Sequence, residues 1–479
     1  MDAEAAEMNP ALQSLDVRSF SIDSREVQAG DVFFALSQPD YQLNGFNGDF
    51  EDATVYVPSA FAKGAVACVV RRDRFEEHFT KLVEFEDRLI FVEDAVVALQ
   101  DLANGVYLEW NKPVVAVTGS AGKTTAKELI AHVLGGEKKV LRNIKNYNNG
   151  LGHPLTVLNL AKDGSYDVAV LEMGMSTPMH EIARLCAITP PDVSVVLNVL
   201  PVHVEHLGSI ENVAAAKVEI VEGMKPGGTA VLNADDRRVA AMSEAANGNV
   251  ITYGLENNAD VTAKDIDFPR FGETTFRLVT PVGESNVMFR LNGRHNILNA
   301  LAAAAVGYKF GLSANEIAEQ LSTAEPPPQR GEVIHFTDGF TVINDSYNSN
   351  PAALMSMVKT LAEGSTAANR RIVVAGEMLE LGSGAAQIHH ETGIKIAESG
   401  VDVLIGVRGL ASEMVRGAEG SGSVETAFAV DSDEAGDMLA NIVGQGDVIL
   451  IKGSRGVRTE KVLEKLLVKF KTEAEVAAV

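Results

Sequence analysis

Hydrophobic and polar positions alternate in blocks along the chain, and these blocks predict an α/β protein. Between residues 17 and 92, short apolar runs separated by turns predict the strands of a small α/β unit; the runs are DVFFAL, ATVYVP, AVACVV and RLIFVE. The segment from Ala95 to Trp110 has apolar residues at helical spacing, and it predicts a helix after these strands.

From Pro113 onward, the pattern changes to longer apolar runs separated by helical segments. The runs VVAVTG, DVAVLEMG and DVSVVLNV suit parallel strands that are buried on both faces. Strands that alternate with helices predict a doubly wound parallel sheet. The segment from Asn247 to Arg290, with turns at FPRFGE and TPVGE, predicts a meander.

The segment LSTAEPPPQRG is the clearest boundary in the chain, because three consecutive prolines cannot continue a helix and form a stiff linker. After it, FTVIND, RIVVAGE, DVLIGV and DVILIKGS predict a further α/β unit with a mostly parallel sheet. We therefore expect three domains, at residues 1–94, 95–326 and 327–479.

Composition narrows the functional classes. The chain has 41 basic and 65 acidic residues, and a net charge of −24 disfavours binding to nucleic acid or to an anionic membrane through the overall field. No apolar run approaches the ~18 residues of a membrane span, and MDAEAAEMNP lacks the basic and apolar regions of a signal peptide. Cys68 and Cys186 lie in apolar stretches, which favours core thiols in a reducing compartment. We expect a cytoplasmic protein.

The segment VVAVTGSAGKTTAKELIAHVL predicts a nucleotide-binding loop between a buried strand, expected to end at Val117, and a helix. Small residues let backbone amides close around a phosphate, and the helix N-terminus adds a favourable dipole. Lys123 is placed to reach the β and γ phosphates, and the Thr124 hydroxyl to ligate Mg²⁺. Val117 stands where the strict pattern has glycine. The predicted loop comprises Thr118, Gly119, Ser120, Ala121, Gly122, Lys123, Thr124 and Thr125.

Three further residues are candidates for chemistry. Glu172 ends the run DVAVLE, at the sheet edge where a nucleotide-bound metal would lie; a solvated strand-end glutamate is the alternative. His203 lies in NVLPVHVEHLGS, and an isolated histidine is more often structural than a ligand. Lys217 lies in a helix with mostly apolar neighbours, where pattern alone favours a snorkelling lysine over a desolvated amine with a lowered pKa.

At these motifs the chain resembles the Mur ligases. TGSAGKTT is similar to that family's ATP loop, which lacks the early glycine in the same way. Further motifs resemble family segments in order: DSR with GDVFFAL, NYNNGLGHPLTVL, HVEHLGS with AAAKVEI, LNGRHNILNALAA, NDSYNSNP, VAGEMLELG and IKGSRGVRTE. The resemblance implies a UDP-sugar-binding N-terminal domain, a central P-loop ATP-binding domain and a C-terminal Rossmann-like domain.

The resemblance also implies an activity. It is nearest to the family member that joins D-alanyl-D-alanine to UDP-N-acetylmuramoyl-tripeptide through an acyl phosphate, forming ADP and phosphate in peptidoglycan synthesis. We expect this chain to act as a monomer in the bacterial cytoplasm, with no nucleic-acid partner and no stable membrane association. Another amino-acid-adding Mur ligase or a folylpolyglutamate ligase remains an alternative. A nucleotide-gated binding module with only switch ATPase activity is an alternative from another class. The third residue of the tripeptide, diaminopimelate or lysine, stays open.

Roles for individual residues follow from the resemblance. It implies Lys123, Glu172, His203 and Lys217 as catalytic residues, with Lys217 carbamylated by CO₂, and this implication favours the desolvated amine at Lys217. Two Mg²⁺ ions would be held by Thr124, Glu172, His203 and the carbamylated Lys217. The implied nucleotide contacts outside the loop are His295, Asn296, Arg330, Asp345, Tyr347 and Asn348. The implied substrate contacts are Ser24, Arg25, Asn44 and Phe46 for the uridine nucleotide, Asn148 and Asn149, and Lys452, Ser454 and Arg455 for the acyl phosphate or dipeptide.

The chain departs from the family's pattern at a few positions. Gly150 and His153 stand where an acidic residue and a small or β-branched one are more usual, and Glu377 replaces the aspartate of a GDM motif. The loop LSQPDYQLNGFNGDF matches the sugar-nucleotide segment only loosely. These departures bear on the substrate contacts and leave the ATP loop intact.

Overall fold

The structure is a computed structural model, and it describes residues 12, 15–46, 51–144, 146–175, 180–200, 209–364, 368–420 and 422–477. The predicted ligand His203 lies outside these residues. The described chain is α/β, as the sequence predicts.

The N-terminal part contains a four-stranded parallel sheet. Its strands are β1 (Ser19–Ser21), β2 (Asp31–Phe34), β3 (Ala67–Arg71) and β4 (Leu89–Val92), in the order β1-β2-β3-β4. Its helices are α1 (Gln38–Leu43), α2 (Val57–Ala62), α3 (Arg72–Glu77), α4 (Phe79–Leu82) and α5 (Ala95–Trp110), with 3₁₀ turns at Ala53–Tyr56 and Val83–Arg88. The predicted helix after the strands is confirmed.

One predicted strand in this region is wrong. ATVYVP forms the 3₁₀ turn and the start of α2. The side chain of Asp52 accepts a hydrogen bond from the amide of Thr54 and caps the turn, and Pro58 lies in the first turn of α2. Both are helix-start signals, and they override the β propensity of the apolar run.

The middle sheet confirms the predicted buried strands. Its strands are β5 (Val114–Thr118), β6 (Val140–Arg142), β7 (Val168–Glu172), β8 (Val193–Val196), β9 (Thr229–Asn233) and β10 (Asn249–Tyr253), in the order β10-β9-β8-β5-β7-β6. The neighbouring helices are α6 (Lys123–Gly135), α7 (Gly152–Val157), α8 (Asn159–Lys162), α9 (Glu181–Ile188), α10 (Ile210–Glu222) and α11 (Arg237–Ala241), with a 3₁₀ turn at Met242–Ala245. β5 continues one residue beyond its predicted end at Val117.

The predicted meander is partly confirmed. β11 (Thr262–Arg270), β12 (Glu273–Thr280) and β13 (Gly283–Phe289) form an antiparallel sheet. The first strand of the predicted segment, β10, pairs instead in parallel with β9. Helices α12 (Arg294–Lys309) and α13 (Ala314–Thr323) then lead to the proline-rich linker.

The C-terminal part contains a mostly parallel six-stranded sheet. Its strands are β14 (Glu332–His335), β15 (Thr341–Asp345), β16 (Arg370–Gly376), β17 (Val403–Val407), β18 (Glu425–Ala429) and β19 (Asp447–Lys452), in the order β14-β15-β19-β16-β17-β18. Only β14 pairs antiparallel among the described strands of this sheet. Its helices are α14 (Pro351–Gly364), α15 (Ala385–Glu398), α16 (Ala411–Glu419), α17 (Ser432–Ile442), α18 (Glu460–Lys469) and α19 (Glu473–Ala477), with a 3₁₀ turn at Gly382–Gly384.

Helices cover both faces of this C-terminal sheet. Val373 and Leu404 pack in one core with helices α14 to α16, and their strand neighbours Ile372 and Ile405 pack in another with α17 and α18. Because successive strand residues point to opposite faces, a strand buried on both sides must be apolar throughout. This is why the central strands of the C-terminal sheet could be recognised in the sequence as continuous apolar runs.

The described residues form two compact units. One comprises residues within 1–118, 138–194 and 218–228, and the other residues within 119–137, 195–217 and 229–479. The boundaries 1–94, 95–326 and 327–479 therefore stay predictions. Cys68 and Cys186 are buried free thiols, as expected. None of the described helices is long and apolar enough to span a bilayer.

Candidate active site

The predicted nucleotide-binding loop follows β5 and leads into α6. Gly122 is the N-cap of α6, with a φ of 81° that favours glycine, and a Cβ there would lie 2.8 Å from the Asn299 side-chain oxygen. A Cβ on Gly119 would lie 2.9 Å from Cβ of Leu197. The positive φ of Gly122 and the close approach of Leu197 to Gly119 therefore favour glycine at both positions.

The side chain of Lys123, the basic residue of the loop, folds back onto the backbone of the loop. Nζ of Lys123 donates a hydrogen bond of 2.8 Å to the carbonyl of Gly119. Thr124 and Thr125 follow in the first turn of α6, where backbone N–H groups and the helix dipole favour an anion. Ser120 and Ala121 form hydrogen bonds with the segment 198–200. The hydroxyl of Thr118 donates to the carbonyl of Met173, so that side chain has a structural partner.

Lys217 lies on α10 and is a buried amine. The residue is 3% exposed, which excludes the snorkelling alternative. Burial, and then the charge of Lys123, lower its pKa from 10.5 to about 7. A large part of this amine is therefore neutral, and hence nucleophilic, near neutral pH.

Glu172 ends β7, in register with Val117 of β5. It is 4% exposed, which excludes the solvated strand-end alternative. The Asn143 amide fixes its backbone, accepting from its N–H at 3.0 Å and donating to its carbonyl at 3.0 Å. Asn148 donates to Oε1 of Glu172 at 2.8 Å. The structure therefore brings the asparagine-rich segment to the predicted metal ligand.

The predicted adenine segment opens α12. Asn296 is buried, and its side chain donates to the carbonyl of Asn292 at 2.8 Å. Oδ1 of Asn296 accepts a bond of 3.3 Å from Asn299, the residue that packs against Gly122 of the loop. Burial lowers the pKa of the neighbouring His295, whose Nδ1 lies 3.4 Å from the Ser356 hydroxyl. These contacts link the predicted adenine segment to the predicted phosphate loop.

In the C-terminal part, two arginine side chains lie close to the ring of Tyr347. The guanidinium of Arg330 lies 4.0 Å from the ring centroid of Tyr347, and that of Arg455 lies 6.0 Å from it. Lys452, which is 4% exposed, donates to the Asp345 carboxylate at 2.5 Å and to the Asn348 carbonyl at 2.9 Å. Four predicted nucleotide contacts therefore lie together with two predicted substrate contacts.

Two known protein-family domains match this chain in sequence. The Mur ligase middle domain matches residues 117–307, and the Mur ligase glutamate ligase domain matches residues 329–455. The chain belongs to the Mur ligase family. The first matched domain contains the loop, Glu172, Lys217 and Asn296, and the second contains Arg330, Asp345 and Lys452.

Individual relatives of this Mur ligase cover nearly all of it. The UDP-N-acetylmuramoyl-tripeptide–D-alanyl-D-alanine ligase of Bacillus subtilis (strain 168) is 31% identical, over 96% of this chain and 95% of its own. The Escherichia coli (strain K12) ligase of the same name is 32% identical, over 96% of each chain. MurF from Thermotoga maritima, solved in complex with ADP, has a TM-score of 0.80 at 29% identity, over 94% of this chain and 97% of its own.

The residues predicted to contact the substrate in the N-terminal part differ in their surroundings: Arg25 is exposed, whereas the side chain of Asn44 is buried. The Ser24 carbonyl accepts from Lys63 at 2.7 Å, and the exposed Arg25 pairs with Asp23. The buried side chain of Asn44 donates to the Asp40 carbonyl and to the Asp94 carboxylate, so it has structural partners. Phe46 packs near Tyr41, and its Cζ would lie 2.9 Å from a Cβ on Gly150.

The remaining predicted contacts and departures have clear local roles. Asn149 accepts from the amides of Leu151 and Gly152 and fixes the turn before α7. Ser454 accepts from the Leu379 amide at 3.0 Å. Burial lowers the pKa of His153 to about 3, so this histidine is a neutral core residue, 2.7 Å from the Thr189 hydroxyl. Glu377 accepts from the Leu410 amide at 3.0 Å.

The sequence analysis missed Asn198 and Asn299. Both make side-chain hydrogen bonds near the loop, and Asn299 is the second residue of an N-x-x-N spacing that places two asparagines on one helix face. That spacing was a usable signal. For a metal, the described residues present no group of three or more His, Cys, Asp or Glu side chains. The buried Glu172 carboxylate is nevertheless an oxygen ligand of the kind that Mg²⁺ prefers, and the Thr124 hydroxyl, taken by itself, is another.

Proposed function

We propose that this Mur ligase joins D-alanyl-D-alanine to UDP-N-acetylmuramoyl-tripeptide, with conversion of ATP to ADP and phosphate. The observation that carries the proposal is the near-complete coverage of relatives that bear this activity in their names, across all three predicted domains. The ADP complex of the Thermotoga maritima relative supports nucleotide binding by this chain. We place the reaction in peptidoglycan synthesis, in the bacterial cytoplasm, with the enzyme as a monomer that binds neither nucleic acid nor membrane.

The chemistry requires activation of a carboxylate. The terminal carboxylate of the tripeptide attacks the γ-phosphorus of ATP, the bond to the β-γ bridging oxygen breaks, and an acyl phosphate and ADP result. The free amine of the dipeptide then attacks the acyl carbon, phosphate leaves with the electron pair of the breaking C–O bond, and the amine loses a proton. The first step brings two anions together, so it needs cationic groups at the phosphates.

The roles of this chain's residues follow from that need. Lys123, which lies 2.8 Å from the Gly119 carbonyl, would turn toward the phosphates and offset the developing charge. A fixed group that stabilises developing charge at such a position commonly lowers the activation free energy by about 3–4 kcal/mol. Arg330 and Tyr347 would hold the nucleotide from the C-terminal part, with Asp345 and Asn348 beside them.

We assign two Mg²⁺ ions to the residues that the resemblance implies as metal ligands. Thr124, Glu172, His203 and a carbamylated Lys217 would hold them, and the ions would neutralise charge on the transferring phosphoryl group. Lys217 supports this assignment because its amine is buried and has a pKa of about 7. A carbamate forms when the neutral amine attacks CO₂ and releases a proton, which turns a cation into a carboxylate-like ligand. The sharpest check is loss of labelled CO₂ incorporation in Lys217→Ala.

Substrate binding is assigned with the first and last predicted domains. Ser24, Arg25 and Phe46 are the proposed uridine-nucleotide contacts, while the partners of Asn44 and Asn149 favour indirect roles for those two. Lys452, Ser454 and Arg455 would close over the acyl phosphate through the loops that they hold. An acyl phosphate hydrolyses in water, so closure of the third domain about the linker at residues 326–328 would protect it.

Phosphate release across a panel of acceptors tests this function. UDP-N-acetylmuramoyl-tripeptide and ATP should release phosphate rapidly with D-alanyl-D-alanine, and slowly with D-glutamate or diaminopimelate. Preference for another amine, or activity only with a folate, would support a different ligase of the superfamily. ATPase activity indifferent to every acceptor would support the nucleotide-gated binding module instead.

A further inference from the structure

Asn198, which follows β8, forms hydrogen bonds with two consecutive residues of the nucleotide-binding loop. Its carbonyl accepts from the amide of Ser120 at 3.0 Å. Its side-chain oxygen accepts from the amide of Ala121 at 2.9 Å, and its side-chain nitrogen donates to the Ala121 carbonyl at 3.1 Å. The carboxamide therefore satisfies both the donor and the acceptor of one loop peptide residue, as a neighbouring strand would.

The segment that carries Asn198 is fixed from other directions as well. Leu200 donates to the Ser120 hydroxyl at 2.9 Å and accepts from it at 3.2 Å. The amide of Val199 donates to Asp236 at 2.7 Å. The carbonyl of Leu197 accepts from the side chain of Asn233 at 2.8 Å. Asn198 therefore connects the loop to a segment that has independent supports.

This arrangement engages two amides of the loop in hydrogen bonds within the protein. The N–H groups of Ser120 and Ala121 already have protein acceptors. The helix start that follows, at Gly122 and the first turn of α6, is where the helix dipole favours an anion. The peptide that Asn198 holds directly precedes Gly122, whose φ of 81° sets the direction of that helix start.

We propose that Asn198 is a positioning residue for nucleotide binding, acting through the Ala121 peptide on the phosphate-binding amides of α6. The proposal rests on the proposed function, because it takes the loop to be the nucleotide site. A residue that only positions the loop should affect the affinity for nucleotide and leave the affinity for the other substrates unchanged. It also joins the loop to the segment that leads directly to residues 201–208, which include His203.

The test compares Asn198→Ala and Asn198→Asp with the control Asn233→Ala. Asn233 supports the same segment but bonds to Leu197 rather than to the loop. Affinity for ADP with Mg²⁺ is measured by titration calorimetry at one salt concentration, and the KM values for ATP and D-alanyl-D-alanine by phosphate release. Losing the two side-chain bonds should weaken ADP binding and raise the KM for ATP by about 10- to 100-fold. The KM for D-alanyl-D-alanine should stay within about twofold, because Asn198 acts only on the loop.

Asn198→Asp preserves the shape and the acceptor but loses the donor and adds a negative charge near the polyphosphate. It should weaken ADP binding at least as much as Asn198→Ala, and it decides the question if the alanine variant does not fold. Asn233→Ala should lower the melting temperature and leave ADP affinity nearly unchanged. A folded Asn198 variant with wild-type ADP affinity would overturn the proposal. If the wild-type protein itself binds no ADP, the proposed function fails instead.

Discussion

Lys217 offers the most quantitative prediction, because its pKa sets how readily its amine reacts with CO₂. Burial and the charge of Lys123 lower that pKa from 10.5 to about 7. At pH 7 the neutral fraction rises from about one amine in 3000 to about one half, a gain of about 10³. This gain would allow the proposed carbamate to form on an amine that is 3% exposed.

The direction of the pH dependence follows from the lowered pKa. The amine of Lys217 is neutral above pH 7 and protonated below it, so carbamate formation is supported at high pH and lost as pH falls through about 7. Between pH 8 and pH 6 the neutral fraction falls by about tenfold. At a fixed concentration of dissolved CO₂, we expect the bicarbonate-dependent activity of the wild-type ligase to fall as the pH drops across this window, because carbamate formation needs the neutral amine and releases a proton.

Phosphate-release assays in degassed buffer, with and without added bicarbonate, measure this dependence. Lys217→Ala should be nearly inactive, insensitive to bicarbonate, and partly rescued by acetate or propionate, which return a carboxylate to the site. Full activity of Lys217→Ala without added acid would refute the reasoning. So would wild-type activity that ignores both bicarbonate and this pH window.

Four further predictions test separate parts of the site. Lys123→Ala should abolish ligation while circular dichroism stays native, because a hydrogen bond such as that to the Gly119 carbonyl contributes only about 1 kcal/mol to stability; normal turnover would exclude the loop assignment. His203→Ala should lose activity and keep its affinity for ATP, and an unchanged rate would argue against a second Mg²⁺ there. Arg330→Ala should raise the KM for ATP by about tenfold, since it removes a cation and its contact with Tyr347; an unchanged KM would place the nucleotide elsewhere. Lys452→Met should lower stability by about 3 kcal/mol, because a partly buried carboxylate loses its partner, and chemical denaturation of this variant and of Lys452→Met with Asp345→Asn measures the recovery.

The sequence was most informative where a structural signal is contained in one short segment of the chain. The phosphate loop could be predicted because a buried strand, small residues and a helix start follow one another directly. The strands of the C-terminal sheet could be predicted because burial on both faces requires unbroken apolar runs. The edge strands β14 and β18 were missed, since they are short and largely half-buried or exposed and therefore lack that pattern.

Contacts between distant segments could not be predicted in the same way. Asn198 and Ala121 are 77 residues apart, and no spacing rule connects them. For Lys217, the helical pattern permits both an exposed and a buried amine, and only the packing around α10 decides between them. ATVYVP was misassigned because β-branched residues outweighed the capping signal at Asp52 and the proline at position 58.

The most direct test of the account is mass spectrometry of a reaction containing the purified ligase, Mg²⁺, ATP, UDP-N-acetylmuramoyl-tripeptide and D-alanyl-D-alanine. We predict one UDP-N-acetylmuramoyl-pentapeptide for each ADP formed, and no such product when the dipeptide is omitted. ADP formation without a joined product would contradict the central claim that this site uses ATP to make a carboxylate reactive toward an amine.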